Sequence, residues 1–593
     1  MFRRFLLVLA PLALGACATV PAPAEAPLVQ SAGPSTSLGT GPSTSLGTGP
    51  STSLGTGVVS AADPRAAEAG VAMLRQGGSA TDAAIATMLA LTVVEPQSSG
   101  IGGGGFLLHH SADGAILTLD GRETAPAGAD GDWFLGPDGK PLAYMEAVVS
   151  GLSVGVPGNL RLAKEAHRRY GKLPWAALFE PAITLARGGW TLSERGHFFL
   201  ARDKHRAAHQ PEALAIYYDE AGEARPAGTT LRNPALADTL ERIAGEGPEW
   251  FYGGANAEAI AAEVAAETPR AGAMTVADIA AYQAKERPAL CGPYRGYRIC
   301  GMGPPSSGAT TVYAILRQLE RFDLGALGPQ SPTFWHLFAE SQRLAFADRE
   351  RYLADSDFVS VPAPALMDPD YLAARGALID PAATMTQVVA GTPQGIALAP
   401  PDGDEPPDSG TSHFVAVDRA GNAVSYTSTI EGSFGSGLMV GGYYLNNELT
   451  DFSMTPTAPD GRPVANRVEG GKRPRSSMAP TLVYDSQGKL VLTIGAAGGS
   501  TIPVQVARAL IGVIDFGLPL GEAVALPVLF SPGDAVTVEQ GSALEAMIPE
   551  LEALGHGQVS ARGLPLKING AERTSAGWVG AADPRSEGAA VGE

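Results

Sequence analysis

Positive charge and cysteine are both scarce in this sequence. Its 593 residues carry 42 Lys and Arg against 61 Asp and Glu, a formal net charge of −19. That balance argues against nucleic acid or an anionic membrane surface as the main partner, because both would repel the protein. The three cysteines and nine histidines form no compact His/Cys/Asp cluster of the kind that holds a metal, so neither metal nor other cofactor is expected. The apolar run within residues 1–17, MFRRFLLVLAPLALGAC, is too short to cross a bilayer. What is present is ordinary for a globular protein, with 45% hydrophobic and 17% charged residues. The length allows a large core.

The Arg pair before that apolar run reads as an export signal. Leu14-Gly15-Ala16-Cys17 resembles the lipobox of bacterial lipoproteins, in which Cys17 becomes the lipidated first residue; plain cleavage near Ala16 is the alternative. Ala18 after the Cys resembles the outer-membrane sorting pattern of Gram-negative bacteria, which implies a periplasm-facing envelope protein. Residues 18–57 read as a tether, with GPSTSLGT occurring three times from Gly33 to near Thr56. Small polar residues with Gly and Pro bury too little surface to fold, so this stretch is expected to be flexible. A spacer role and repeat expansion without function fit equally well.

The other two cysteines flank GPYRGYRI. A two-residue turn at Arg295-Gly296 would pair Tyr294 with Tyr297 and bring Cys291 opposite Cys300 in a non-hydrogen-bonded pair, where side chains lie closest. A disulfide and two buried thiols are both open at this stage.

Asp63 to Val94 reads as two helices broken at Gly77-Gly78, the second apolar almost all round and therefore buried. The glycine run Gly102 to Gly105 invites a phosphate-loop reading. A strand, FLLHH, follows it rather than a helix, so a close-packed turn is expected. Gly151-Leu152-Ser153-Val154-Gly155 has the letters of a nucleophile elbow. A second turn at Val156-Pro157-Gly158 separates it from the next helix, so Ser153 is not expected to be catalytic. Residues 160 to 380 are mainly helical patterns broken by Pro and Gly.

The organising stretch is Asp408 to Asp418. A Pro/Gly/Asp run, PPDGDEPPDSG, leads straight into the alternating strand HFVAVD, then a turn and a second strand, AVSYTSTI. Thr411 thus sits where an exposed loop meets the first strand of a hairpin. An N-terminal-nucleophile hydrolase places its nucleophile at such a junction. Cleavage between Gly410 and Thr411 would free an α-amine, of reference pKa about 8, to take the proton of the adjoining hydroxyl. Strands such as PTLVYD and KLVLTIG follow, then the helix PVQVARALIGVIDF. Helices, then strands, then helices imply an α+β layered core.

Downstream of Thr411 come TSTIEGSFG, LNNELTDFS, KRPRSSM and GAAGGS; upstream lie GIGGGGF and DGRETAP. Together, in this order and spacing, they resemble the γ-glutamyltranspeptidase family from about Val58 to near Arg585. The resemblance implies a four-layer αββα Ntn-hydrolase sandwich assembled from two self-cleaved fragments, a large one (58–410) and a small one (411–593). Carried over residue by residue, it makes Thr411 the nucleophile of processing and turnover and Thr429 its hydroxyl partner. It gives Gly498 and Gly499 as the oxyanion hole, where paired glycines leave two N–H groups unobstructed. Arg122, Ser476 and Ser477 become the clamp on a substrate α-carboxylate, a sound use of an Arg fork. Glu448 and Asp451 hold the α-ammonium.

Two departures stand out. Glu431 occupies a position where better-known members carry Asn, which adds a third acid to the ammonium side. The segment 454–471 is short and lacks the Tyr of the lid found in some members, so an open pocket is expected. The activity implied is transfer of a γ-glutamyl group from glutathione or a related compound to water, an amino acid or a peptide. A glutaryl (cephalosporin) acylase, a poly-γ-glutamate-processing relative and an envelope-anchored binding protein without catalysis are the alternatives.

Overall fold

The strand Ser412–Val417 is buried on both faces, and that fact sets the layering. Phe414 and Ala416 join the core packed against the helix Ala80–Val94. Val415 and Val417 point the other way, into a core shared with Leu482, Leu492 and Ile494 of a second sheet. A strand covered on both sides must lie between two layers, which explains its near-continuous apolar character. The computed structural model describes residues 51–593, except 271, 398 and 401–409. The lipobox with Cys17, most of the tether, and Asp408-Ser409 before the cleavage site lie outside the described residues.

Two seven-stranded antiparallel sheets stack face to face. The first runs Ala589–Gly592, Val58–Ala61, Ser412–Val417, Ala423–Thr429, Gly104–His110, Ile116–Asp120, Lys285–Arg287. The second runs Ser51–Gly55, Gly577–Ala582, Lys567–Thr574, Leu490–Ala497, Thr481–Tyr484, Tyr297–Gly301, Leu290–Tyr294. Outside the first sheet pack Pro64–Arg75 and Ala80–Val94; outside the second pack Gly308–Leu319, Pro332–Tyr352 and Ile502–Ile514. This is the αββα sandwich. Both sheets draw strands from either side of Thr411, so neither part of the chain can build a sheet alone. A cut before Thr411 would leave one interleaved body.

The tether expectation needs correction at its end. Ser51–Gly55 forms an edge strand paired with Trp578 to Ala582. The Ser51 and Ser53 hydroxyls accept from the amides of Ala590 and Gly592 at 3.3 and 2.9 Å. Pairing to a distant strand supplies the hydrogen bonds that the composition alone could not promise. Tyr443–Tyr444 forms a short two-residue strand paired with Met439–Val440.

The Cys hairpin has the expected register. Cys291 lies opposite Cys300, Arg295 and Gly296 both adopt positive φ, and the disulfide is formed. Ser153 donates to the carbonyl oxygens of Val148 and Ser150 inside a short buried turn, which is a structural role. The glycine run passes into the strand Gly104–His110 with no helix after it.

Candidate active site

Thr411 opens the hairpin strand on the face that looks between the sheets. His413, two residues on, lies against Gly495 of the opposing sheet, and Thr411 has the same parity. Its hydroxyl is 3.0 Å from that of Thr429, at the end of the neighbouring strand. Thr429 Oγ1 in turn accepts the amide of Glu431 at 2.8 Å. The amide of Thr411 donates to the Ser98 carbonyl at 2.8 Å. Thr411 has φ 101°, a region that a β-branched residue avoids. Holding it there costs on the order of 1–3 kcal/mol, located on the residue after the expected scissile bond. Only glycine fits before it, since a Cβ on Gly410 would lie 1.9 Å from the Glu431 carbonyl oxygen.

The opposing sheet supplies the oxyanion candidates. The strand Leu490–Ala497 ends at Gly498, with φ 129°, followed by a 3-10 turn at Gly499–Thr501 and the helix Ile502–Ile514. Gly499 and Ser500 line the same cleft as Thr411, at the start of this helical segment. Backbone N–H groups at a helix start favour a developing negative charge. Gln505 braces this loop, donating to the Ala497 carbonyl at 2.9 Å and to Thr501 Oγ1 at 2.8 Å.

Arg122 leaves the end of the strand Ile116–Asp120 and is buried in the cleft wall. Its guanidinium pairs with Glu448 and with Asp451, and donates to the Arg475 carbonyl at 2.8 Å. The residues expected to hold the two charges of a substrate head thus form one ion-pair cluster with each other. Ser477 Oγ accepts from Arg349 at 2.7 Å and Ser476 Oγ from the Met478 amide at 3.2 Å, so each hydroxyl can donate into the cleft. The cleft keeps about 20 Å³ of free space, roughly one water.

The structure brings Thr411, Thr429, Arg122, Glu448, Asp451, Ser476, Ser477 and Gly499 to one cleft. Gly498 stands just behind, one residue before Gly499. Glu431 is not in the wall. It is buried at φ 72°, and its carboxylate accepts from Asn447 Nδ2 and from the Tyr144 hydroxyl at 3.4 Å. No residue of 454–471 lines the cleft.

Sequence reasoning missed the support behind the nucleophile. Ser412 Oγ donates to Glu95 at 2.7 Å, and the buried Lys567 ammonium bonds Glu95 at 3.0 Å and Ser98 Oγ at 3.3 Å. Burial pulls the Lys567 pKa down, while Glu95 opposes that pull. Arg349, which holds Ser477, was also missed. These groups lie on separate segments with no local signal; a charged residue in an otherwise apolar stretch, such as Glu95 after Val94, was the one available hint.

Comparison with known proteins agrees with this geometry. Residues 66–593 match the Gamma-glutamyltranspeptidase family. The glutathione hydrolase proenzyme of Escherichia coli (strain K12) is 38% identical over 483 residues, 79% of this chain and 80% of that protein. Its counterpart in Bacillus subtilis (strain 168) is 35% identical over 552 residues, 90% of this chain and 91% of that protein. The crystal structure of cephalosporin acylase from Bacillus halodurans has a TM-score of 0.79 at 26% identity, covering 92% of this chain and 97% of that chain. A match over nearly every described residue, on a two-sheet core that sets a threonine at a strand's start, means that this chain belongs to the γ-glutamyltranspeptidase family.

Proposed function

We propose that the protein is a self-processing γ-glutamyl hydrolase and transpeptidase of the glutathione-hydrolase type, with Thr411 as nucleophile. In the uncut chain Thr411 Oγ1 attacks the Gly410 carbonyl carbon, and the acyl group passes from nitrogen to oxygen. Water then hydrolyses that ester and leaves Thr411 with a free amine. Strain at φ 101° and the Thr429 hydroxyl at 3.0 Å support this step. The left-handed φ ceases to be a constraint once Gly410 is gone.

In turnover the amine takes the Thr411 hydroxyl proton as Oγ1 attacks the γ-carbonyl of the donor. The oxyanion is received by the N–H groups of Gly498 and Gly499. The proton passes to the departing amine as the C–N bond breaks, leaving a γ-glutamyl ester on Thr411. Water or an incoming amine then reverses these steps.

The single observation carrying the substrate reading is the Arg122–Glu448–Asp451 cluster in the cleft wall. A zwitterionic head can exchange with it charge for charge, its carboxylate taking Arg122 and its ammonium the acids. A glutaryl group offers only the carboxylate and would leave the buried Glu448 and the half-buried Asp451 without a cationic partner. The likeness to a cephalosporin acylase keeps that second reading in view. Assaying the purified protein on γ-glutamyl and glutaryl anilides side by side tests the choice. A clear preference for γ-glutamyl supports the proposal, and a preference for glutaryl rejects it. We further propose export and lipidation at Cys17, supported by the lipobox-like residues 14–17. Mass analysis of the N-terminal peptide from membranes would reveal an unmodified Cys17 if this is wrong.

A further inference from the structure

Cleavage before Thr411 would create an amine and also remove one of the two bonds that hold that residue in the chain. The contact seen at its nitrogen is the Ser98 carbonyl, which accepts at 2.8 Å. The same carbonyl accepts the amide of Ile430, next to Thr429, at 3.3 Å. Ser98 thus helps to set where both threonines stand, with their hydroxyls 3.0 Å apart. Its own position comes from a buried ion pair. Lys567 Nζ donates to Ser98 Oγ at 3.3 Å and bonds Glu95 at 3.0 Å, while the Ser98 amide donates to the Glu95 carbonyl at 2.9 Å. On the other side of Thr411, Ser412 Oγ donates to the Glu95 carboxylate at 2.7 Å. All four residues are buried. Glu95 and Ser98 precede the expected cut, whereas Ser412 and Lys567 follow it.

We propose that Lys567 and Glu95 are positioning residues for the catalytic amine, holding Ser98 and Ser412 on either side of Thr411 once the chain is cut. This assignment rests on the function proposed above. A chain-terminal amine turns about its N–Cα bond and moves with its Cα, and either motion takes it away from the hydroxyl whose proton it must accept. An N–H held by the Ser98 carbonyl restricts the first motion, and Ser412 bonded to Glu95 restricts the second. When the amine takes the Thr411 proton it becomes an ammonium, and the hydrogen bond to Ser98 then carries charge and strengthens. An ion pair spanning the cut suits this task, because separating two buried charges costs more than parting neutral groups. Processing makes no such demand. There Oγ1 attacks the Gly410 carbonyl while Thr411 is still tied into the chain at both ends. The pair therefore serves turnover far more than self-cleavage.

The test uses the full chain and a γ-glutamyl anilide. Turnover is counted per cleaved molecule, and cleavage of the newly made chain is followed on a denaturing gel. Lys567→Met removes the donor to Ser98. Glu95→Gln combined with Lys567→Met removes both charges, so neither partner is left buried and unpaired and the net charge is unchanged. Both variants should lower kcat about 10- to 100-fold, the cost of a misplaced reacting group, with KM within about twofold of wild type. Each should cleave itself at a rate within about twofold of wild type. Lys567→Arg keeps a cation and a donor at Ser98 and should regain most of the lost kcat. A wild-type kcat in the double variant overturns the assignment, because the pair then positions nothing. Cleavage slowed as much as turnover also overturns it, because the pair is then a scaffold for the whole fold. Either result leaves the proposed function standing. Wild-type protein that cuts itself and yet releases no aniline from the γ-glutamyl donor overturns the function, and the assignment with it.

Discussion

The hydroxyls of Thr411 and Thr429 lie 3.0 Å apart across two adjacent strands, although 18 residues separate them in sequence. Thr429 Oγ1 also accepts the Glu431 amide, which holds the hydroxyl in place beside that of Thr411. Thr429→Val keeps the shape and removes this oxygen. It should lower kcat by about 10- to 100-fold, the cost of one lost buried hydrogen bond and one stranded donor. Steady-state assay on a γ-glutamyl anilide checks it; full activity would mean that Thr429 does not orient the nucleophile.

Self-cleavage is expected between Gly410 and Thr411. Mass spectrometry of the small fragment should place its first residue at Thr411 and its last at Glu593. Thr411→Ala should remain one chain on a denaturing gel. A different first residue, or an active enzyme that is never cut, contradicts the proposal.

Arg122→Lys should leave processing intact and weaken donor use. A point charge cannot reproduce a two-pronged contact, at a cost of about 1.5–3 kcal/mol, or roughly 10- to 150-fold in kcat/KM. Unchanged kcat/KM for a γ-glutamyl donor would assign Arg122 a purely structural role within its Glu448 and Asp451 pairs.

Gly498→Ala should impair the oxyanion loop. A Cβ at φ 129° would lie 2.0 Å from the Pro565 carbonyl oxygen, so the loop must shift. Loss of one aligned donor typically costs about 100- to 1000-fold in kcat. The cleaved variant should show that loss with KM little changed; a wild-type kcat would remove Gly498 from the oxyanion hole.

Glu123 adds a pH-dependent term to stability. Its carboxyl is fully buried beside Arg122, and burial pushes its pKa up to about 8, against the opposing pull of that Arg. Between the ordinary carboxylate range and about pH 8 the folded protein holds a proton there that the unfolded chain has lost. This contribution therefore favours folding at low pH and fades as pH rises. Glu123→Gln removes it, so the variant's Tm relative to wild type should climb from pH 5 to pH 8. A Tm difference that is flat or falls would show that Glu123 is ionised in the fold.

The sequence by itself determined the parts whose signals are local. Alternation in HFVAVD and AVSYTST specified the hairpin, and the loop running into it marked Thr411. The Arg295-Gly296 turn fixed the register that sets Cys291 opposite Cys300, because two residues set the pairing of the whole hairpin; that the two are joined as a disulfide came from the structure. Tertiary structure decided what depends on distant partners. Ser51–Gly55 became a strand only because the edge at Trp578 to Ala582 was there to pair with it. Glu431 turned toward Asn447 and Tyr144 and away from the substrate wall. Arg122 met acids more than 300 residues away, and Lys567 met Glu95 from the far end of the chain. Periodicity and turn chemistry act over a few residues. Ion pairs and cavities form only where folded layers bring remote segments together, so no stretch of this chain carries them alone.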